Sequence, residues 1–261
     1  SSFLLYMLVA DGEVGAEVYA AASAKDQAKI VHGQSRKMVK ASQRLSKWLK
    51  VYRDAIEEPA SGSTFKVISA DAGVNEGLEP SAYACDEYHR HKTRELYDVL
   101  TKGTVSRARP FGLVITNPGA ATSSPCGELY LQAVAVRDGK PGHREDLYVF
   151  FPEVNPDFLK HPSMTVGDPV PDDFLDAWKA VNPASWITRD TLAKEYKKSP
   201  GHVFSRFNLN MWTRAEKSWL PPGAWEACIV AEFDRGEWTE GVAAVDLGSS
   251  HDSTGIALVM P

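Results

Sequence analysis

Two short apolar runs, each ending on a pair of polar residues, constrain this chain's fold most tightly. Residues 81–85 read Ser-Ala-Tyr-Ala-Cys and stop on Asp86-Glu87; residues 111–115 read Phe-Gly-Leu-Val-Ile and stop on Thr116-Asn117. A run this short is a poor buried helix, so a strand of a sheet buried on both faces is the simpler reading for each. A helix-length segment with Leu96, Val99 and Leu100 on its inward face separates them, as alternating strands and helices of a parallel-rich sheet require. Both polar pairs are then expected at one sheet edge, and open α/β sheets take ligands beyond the carboxyl ends of their strands. An Asp there can hold a nucleotide-bound Mg²⁺, directly or through water, and the Glu beside it can orient and polarise an attacking water. A solvated Asp-Glu pair in a loop is the ordinary alternative; the second polar strand end weakens it.

A chain of 261 residues with 43% hydrophobic and 24% charged side chains is globular and long enough for one or two domains. Its formal net charge of −5 does not advertise a nucleic-acid partner, although it leaves room for a local basic surface. Cys85, Cys126 and Cys228 are scattered and odd in number, which fits a reducing compartment better than a disulfide scaffold. The apolar first ten residues are too short to span a membrane, and no membrane partner is expected. There is no initiator Met and no Gly-rich loop ending in Lys ahead of a helix, so the chain is expected to begin inside a longer gene product.

Taken in order, residues 1–10 read as a helix and 17–22 as a strand. Ser23 is placed as the N-cap of a helix from Ala24 to about Met38 or beyond, with Asp26 completing a short capping box and Ala41-Ser42 as a candidate break. If that helix continues, Val31, Met38, Leu45 and Leu49 form one stripe, and Lys29, Arg36, Lys40, Arg44 and Lys47 lie opposite. The basic side reads either as a nucleic-acid surface or as a solvated face. Residues 55–63 read as a turn-rich connection, 64–69 as a strand and 71–80 as a loop. Further on, 94–100 is helical, 101–109 is a basic loop containing Arg107 and Arg109, 127–136 is helical and 147–151 is a strand. Residues 152–171 are a proline-rich excursion. Helices follow from Asp172, over 189–198 with Thr188 as cap, and over 203–211. Strands at 241–247 and 254–260 close the chain. Tyr88, His89 and His91 lack a complete ligand set and are read as turn-positioning or packing residues. Trp212, Trp219 and Trp225 are read as packing anchors.

Several segments together resemble the ATPase motor of tailed-phage large terminases: S-A-D-A-G-V-N-E-G-L-E-P at 69–80, C-D-E-Y-H-R-H-K at 85–92, R-E-L-Y-D-V-L at 94–100, F-N-L-N-M-W-T at 207–213 and G-V-A-A-V-D-L-G-S-S-H-D-S-T at 241–254. The resemblance implies an α/β fold with a P-loop NTPase-like, parallel-rich sheet covered by helices, followed by the opening hairpin of an RNase H-like domain. It implies an ATPase core lacking its phosphate loop at 1–165, a helical lid or linker at 166–237 and the beginning of a nuclease domain at 238–261. Asp86 and Glu87 would be the Walker B pair. Thr116 would couple hydrolysis to movement, with Asn117 standing where family members often carry a second Thr. Ser1 would match the Mg²⁺-binding Ser of the loop, with Ser2 as the alternative, and Asp71 would belong to the ATPase core. Asp246 and Asp252 would serve a separate nuclease metal site. The implied cofactors are ATP and Mg²⁺, with Mg²⁺ or Mn²⁺ for the intact nuclease. The implied partners are double-stranded DNA, a portal protein, the small terminase subunit and further copies in a ring, in the host cytoplasm at the procapsid. The fragment alone is expected to be inactive. A helicase-like translocase and a non-catalytic assembly module are the alternatives.

Overall fold

The computed structural model describes residues 1–70, 77–119, 122–158, 169–199 and 201–212, and the backbone of 242–246 and 255–259. The chain divides into two compact units, Ser1–Lys217 and Ser218–Pro261.

The first unit is built on a six-stranded mixed sheet. Its strands are β1 (Glu17–Ala22), β2 (Lys50–Val51), β3 (Ala55–Glu58), β4 (Ser63–Ser69), β5 (Ala82–Asp86) and β6 (Phe111–Ile115), in the spatial order β2-β3-β4-β1-β5-β6. The four strands β4, β1, β5 and β6 run parallel, whereas β3 pairs antiparallel to β4 and β2 to β3. The sheet is therefore parallel only from β4 through β1 and β5 to β6. The ribbon of β2 and β3 replaces the turn-rich connection expected at 55–63. Pro59 and Gly62 mark only its end, and Ile56 is wholly buried.

Alternation along β1 and β5 explains the layers. Val18, Ala20, Ala82 and Ala84 face one side, where α1 (Ser2–Val9) and α2 (Lys25–Ala41) pack with Leu4, Leu5, Met7, Leu8 and Val39. Tyr19, Ala21, Tyr83 and Cys85 face the other, against Leu96, Tyr97 and Leu100 of α4 (Glu95–Gly103) and Cys126 of α5 (Pro125–Arg137). Alanine is a poor strand former by propensity; burial on both faces overrides that here, and its small side chain suits close helix docking. Each fully buried leucine in such a layer contributes about 1.5–3 kcal/mol.

A separate core gathers Val154, Val170, Phe174, Trp178, Leu192, Phe204 and Leu209 from α6 (Asp172–Ala180), α7 (Arg189–Lys198), α8 (Gly201–Phe207) and their flanks. Thr188 caps α7, its hydroxyl accepting from the Thr191 N–H at 3.2 Å.

Several local expectations change. The N-cap of α2 is Ala24 with no side-chain cap, so Ser23 and Asp26 form no capping box. The helix does end at the candidate break, Ala41-Ser42: Ser42 is extended and its hydroxyl accepts from the Leu45 N–H at 3.3 Å to start α3 (Gln43–Trp48). The buried face of α2 is Ala28, His32, Ser35 and Val39, while Met38 is 40% exposed. Residues 147–151 are irregular rather than a strand: they pair with no sheet edge among the described residues, and Phe151 instead packs on Tyr130 and beneath the Arg137 guanidinium.

In the second unit, β7 (Val242–Asp246) and β8 (Gly255–Val259) pair antiparallel.

Candidate functional site

Parallel pairing of β5 with β6 sets Asp86 opposite Ile115, so the next residues, Glu87 and Thr116-Asn117, leave the sheet at the same carboxyl edge. Asp86 is the last residue of its strand. Glu87 sits in the left-handed region (φ 51°, ψ 46°) and turns the chain into a single 3₁₀ turn, Tyr88–Arg90. Its N–H donates to Asp86 Oδ1 at 3.1 Å.

The turn carries His89 back over the end of β6. The His89 N–H donates to Thr116 Oγ1 at 2.9 Å, and the ring Nδ1 lies 3.1 Å from the same oxygen. Its Nε2 lies 3.5 Å from Glu87 Oε2, and Arg90 Nε lies 3.6 Å from that oxygen. Thr116 Oγ1 also donates to the Asn117 carbonyl at 2.9 Å and is 3.6 Å from Cys126 Sγ. The loop after β6 is gripped from beyond: Arg206 Nε of α8 donates to the Pro118 carbonyl at 2.6 Å. A Cβ at Gly119 would meet the Trp212 ring at 2.9 Å, and that ring packs on Tyr130.

The electrostatics of the edge favour a cation. Burial, and next the Glu87 charge beside it, push the Asp86 carboxyl above the usual carboxylate range; the Glu87 N–H and nearby positive charge oppose this. Ser1 and Asp86 are near neighbours. The Ser1 hydroxyl itself donates to the Val31 carbonyl at 3.1 Å. Among the described residues no cluster of three or more His, Cys, Asp and Glu surrounds a common point. Asp86, with its half-buried carboxyl at the strand end, is a fitting ligand for a hard divalent cation whose other ligands include water and phosphate.

The remaining candidates fall elsewhere. Asp71 and Asp252 lie outside the described residues, as do Trp219 and Trp225. Asp246 closes β7 in the second unit. Arg107 faces away from the site: it pairs with Glu13 at 3.2 Å and donates to the Glu79 and Gly15 carbonyls, at the amino ends of β1 and β5. Its role is to pin that edge. His91 is buried against Tyr88, with ring centroids 4.9 Å apart. Sequence reasoning missed the bridging place of His89 and the grip of Arg206. The first depends on the direction of the turn at Glu87, which the sequence pattern does not give. No local signal announces the second.

The parallel strands of this mixed α/β sheet thus bring an acidic pair and a hydroxyl to adjacent strand ends, at the edge where open α/β sheets take ligands. Residues 1–134 match the family model for the terminase large subunit, ATPase domain, and this chain belongs to that family. The crystal structure of the HK97 bacteriophage large terminase is similar in fold (TM-score 0.61, 20% identity), covering 98% of this chain and 52% of that one. The large terminase of a thermophilic bacteriophage, solved in complex with ADP, matches with a TM-score of 0.51 and 12% identity over 100% of this chain and 55% of that one. Protein YmfN of Escherichia coli K12 is 23% identical over 159 residues, 59% of this chain and 32% of its own length. The chain thus spans about half the length of the solved relatives and a third of the curated one.

Proposed function

We propose that this chain is the motor portion of a large terminase subunit that hydrolyses ATP to drive double-stranded DNA into a procapsid. The observation that carries the reading is the in-register pairing of Asp86 with Ile115, which brings Asp86-Glu87 and Thr116-Asn117 to one sheet edge. Asp86 would hold Mg²⁺, directly or through water, with Ser1 a further ligand and Asp71 near the nucleotide. When bound, Mg²⁺ supplies charge neutralisation across the terminal phosphates. Glu87 orients and polarises the attacking water. Thr116 and Asn117 sense the state of the site and pass it to the loop held by Arg206. ATP is the substrate nucleotide. Residues 1–165 act as the ATPase core, 166–237 as a lid or linker and 238–261 as the opening of a nuclease domain with Asp246 and Asp252 among its metal ligands. Portal protein, small subunit and a ring of copies are the expected partners, in the host cytoplasm at the procapsid.

The test is Glu87→Gln in the full-length protein. The amide keeps size and hydrogen bonding but not the carboxylate's assistance, so nucleotide binding should persist while kcat falls about 10²- to 10⁴-fold. Near-normal turnover at saturating ATP and Mg²⁺ would remove Glu87 from the mechanism. Asp86→Ala should instead weaken Mg²⁺-dependent nucleotide binding, read by titration with and without the metal.

A further inference from the structure

We propose that His89 is a positioning residue that ties the Glu87 carboxylate to the Thr116 hydroxyl, so that the water-orienting group and the neighbouring strand end change state together. The kinetic part of this inference rests on the ATPase reading above; the geometric part does not.

The imidazole stands between the two groups. Its side chain is 5% exposed, with Nδ1 3.1 Å from Thr116 Oγ1 and Nε2 3.5 Å from Glu87 Oε2. The backbone of the same residue fixes it further, because the His89 N–H already donates to Thr116 Oγ1 at 2.9 Å. Arg90 reaches the same Glu87 oxygen from outside at 3.6 Å, with its side chain 62% exposed, so the buried hold on Glu87 comes from His89.

Proton counting turns this contact into a two-position device. The Thr116 hydroxyl has one proton to give and two acceptors in reach, His89 Nδ1 and the Asn117 carbonyl at 2.9 Å. When it donates to Nδ1, a neutral ring carries its proton on Nε2 and presents an N–H to Glu87. When it donates to the Asn117 carbonyl, Nδ1 must carry the ring proton and donate to Thr116. Nε2 then turns a lone pair toward the carboxylate, which repels it. The neutral ring holds one proton in both arrangements; an imidazolium donates from both nitrogens and holds Glu87 whichever way the hydroxyl points. In the neutral ring, rotation of one hydroxyl at the end of β6 therefore decides whether Glu87 is held or released. What biases that rotation is the place of the Asn117 carbonyl, one residue before the Pro118 carbonyl that Arg206 holds at 2.6 Å.

The experiment uses the full-length protein with His89→Ala, His89→Gln and His89→Asn. A glutamine amide reaches the position of Nε2 and an asparagine amide that of Nδ1. For His89→Ala, kcat should fall about 10- to 100-fold, the order seen when a partner orienting a reactive-site group is removed, with KM for ATP within about threefold of wild type. His89→Gln should recover more of kcat than His89→Asn, because it restores the contact to Glu87. Unchanged kcat in His89→Ala, a loss carried wholly by KM, or a larger recovery with Asn than with Gln would overturn the assignment. A second measurement needs no turnover and no change at His89. In protein labelled with ¹⁵N-histidine, the Nδ1 and Nε2 resonances of His89 should both shift on Thr116→Val and on Glu87→Gln. Resonances that respond to neither substitution overturn the bridge. A wild-type protein that hydrolyses no ATP, yet shows these shifts, would overturn the ATPase reading and leave the bridge standing.

Discussion

Glu87 holds its backbone at φ 51°, where a Cβ crowds the following carbonyl and a non-glycine residue loses about 1–2 kcal/mol. The chain keeps a glutamate at a turn position that glycine would occupy without strain. Glu87→Gly should therefore raise the unfolding free energy by about 1 kcal/mol while abolishing hydrolysis. Glu87→Ala should abolish hydrolysis without that gain. Urea unfolding of the three proteins checks both; equal stability of the Gly and Ala variants would show that the turn is unstrained. Gly127 is the opposite case. A Cβ there would stand 2.3 Å from the Thr122 carbonyl oxygen, a backbone atom that cannot swing aside. Gly127→Ala should cost about 1–3 kcal/mol by overpacking, measured by the same unfolding. Asp86, Glu87 and Thr116 were legible in sequence because a run of apolar residues ending in a polar pair fixes both strand and edge. The link through His89 was not, because it depends on a turn direction that propensity does not encode.

The segment from α2 to β2 carries no acidic residue between Asp26 and Asp54, and Lys40, Arg44, Lys47 and Lys50 are all exposed. Arg44 lies over the ring of Trp48 at 4.6 Å, and Trp48 is 45% exposed, so an aromatic residue accompanies the basic side chains on α3. Arg36, expected on this face, is half-buried. Charge reversal at Arg36, Lys40 and Arg44 should weaken duplex DNA binding several-fold at low salt without changing base preference, with the difference shrinking as salt rises. Affinity unchanged across a salt titration, in protein of unaltered fold, would leave the face merely solvated. The same helix holds a pH-sensitive group on its inner side. His32 is buried edge-on to Phe65, and burial lowers its pKa below 6.5; His91, against Tyr88, is lowered for the same reason. An unfolded chain protonates both before the folded one does, so stability is full above about pH 6.5 and falls as pH drops toward the lowered folded values. His91→Phe should flatten part of that acid limb in thermal unfolding between pH 7 and 5. Helix positions were legible from periodicity. The buried face of α2 was not, since it is Ala, His, Ser and Val, a set with little hydrophobic signal.

Across the whole chain, the parallel strands could be read because each is bounded by polar or glycine-rich turns, whereas the β2–β3 ribbon hides in a stretch whose only clear marks are Pro59 and Gly62. The pairing of β7 with β8 was equally visible, as two apolar runs around a polar turn. What that hairpin does is a question of donor number. Asp246 closes β7, and Asp252 lies on the connection to β8. Two carboxylates can contribute to binding hard metal ions, which prefer oxygen ligands. Cleavage by a two-metal site further requires groups that position the scissile phosphate and stabilise both the attacking and the leaving oxygen. One hairpin offering two aspartates is short of that set. The 261-residue chain should therefore leave supercoiled and linear duplex DNA intact in Mg²⁺ or Mn²⁺, whereas the full-length protein should cut both and lose that activity on Asp246→Asn. Robust cutting by the 261-residue chain itself, abolished by Asp246→Asn, would mean that the metal ligands are already complete within it.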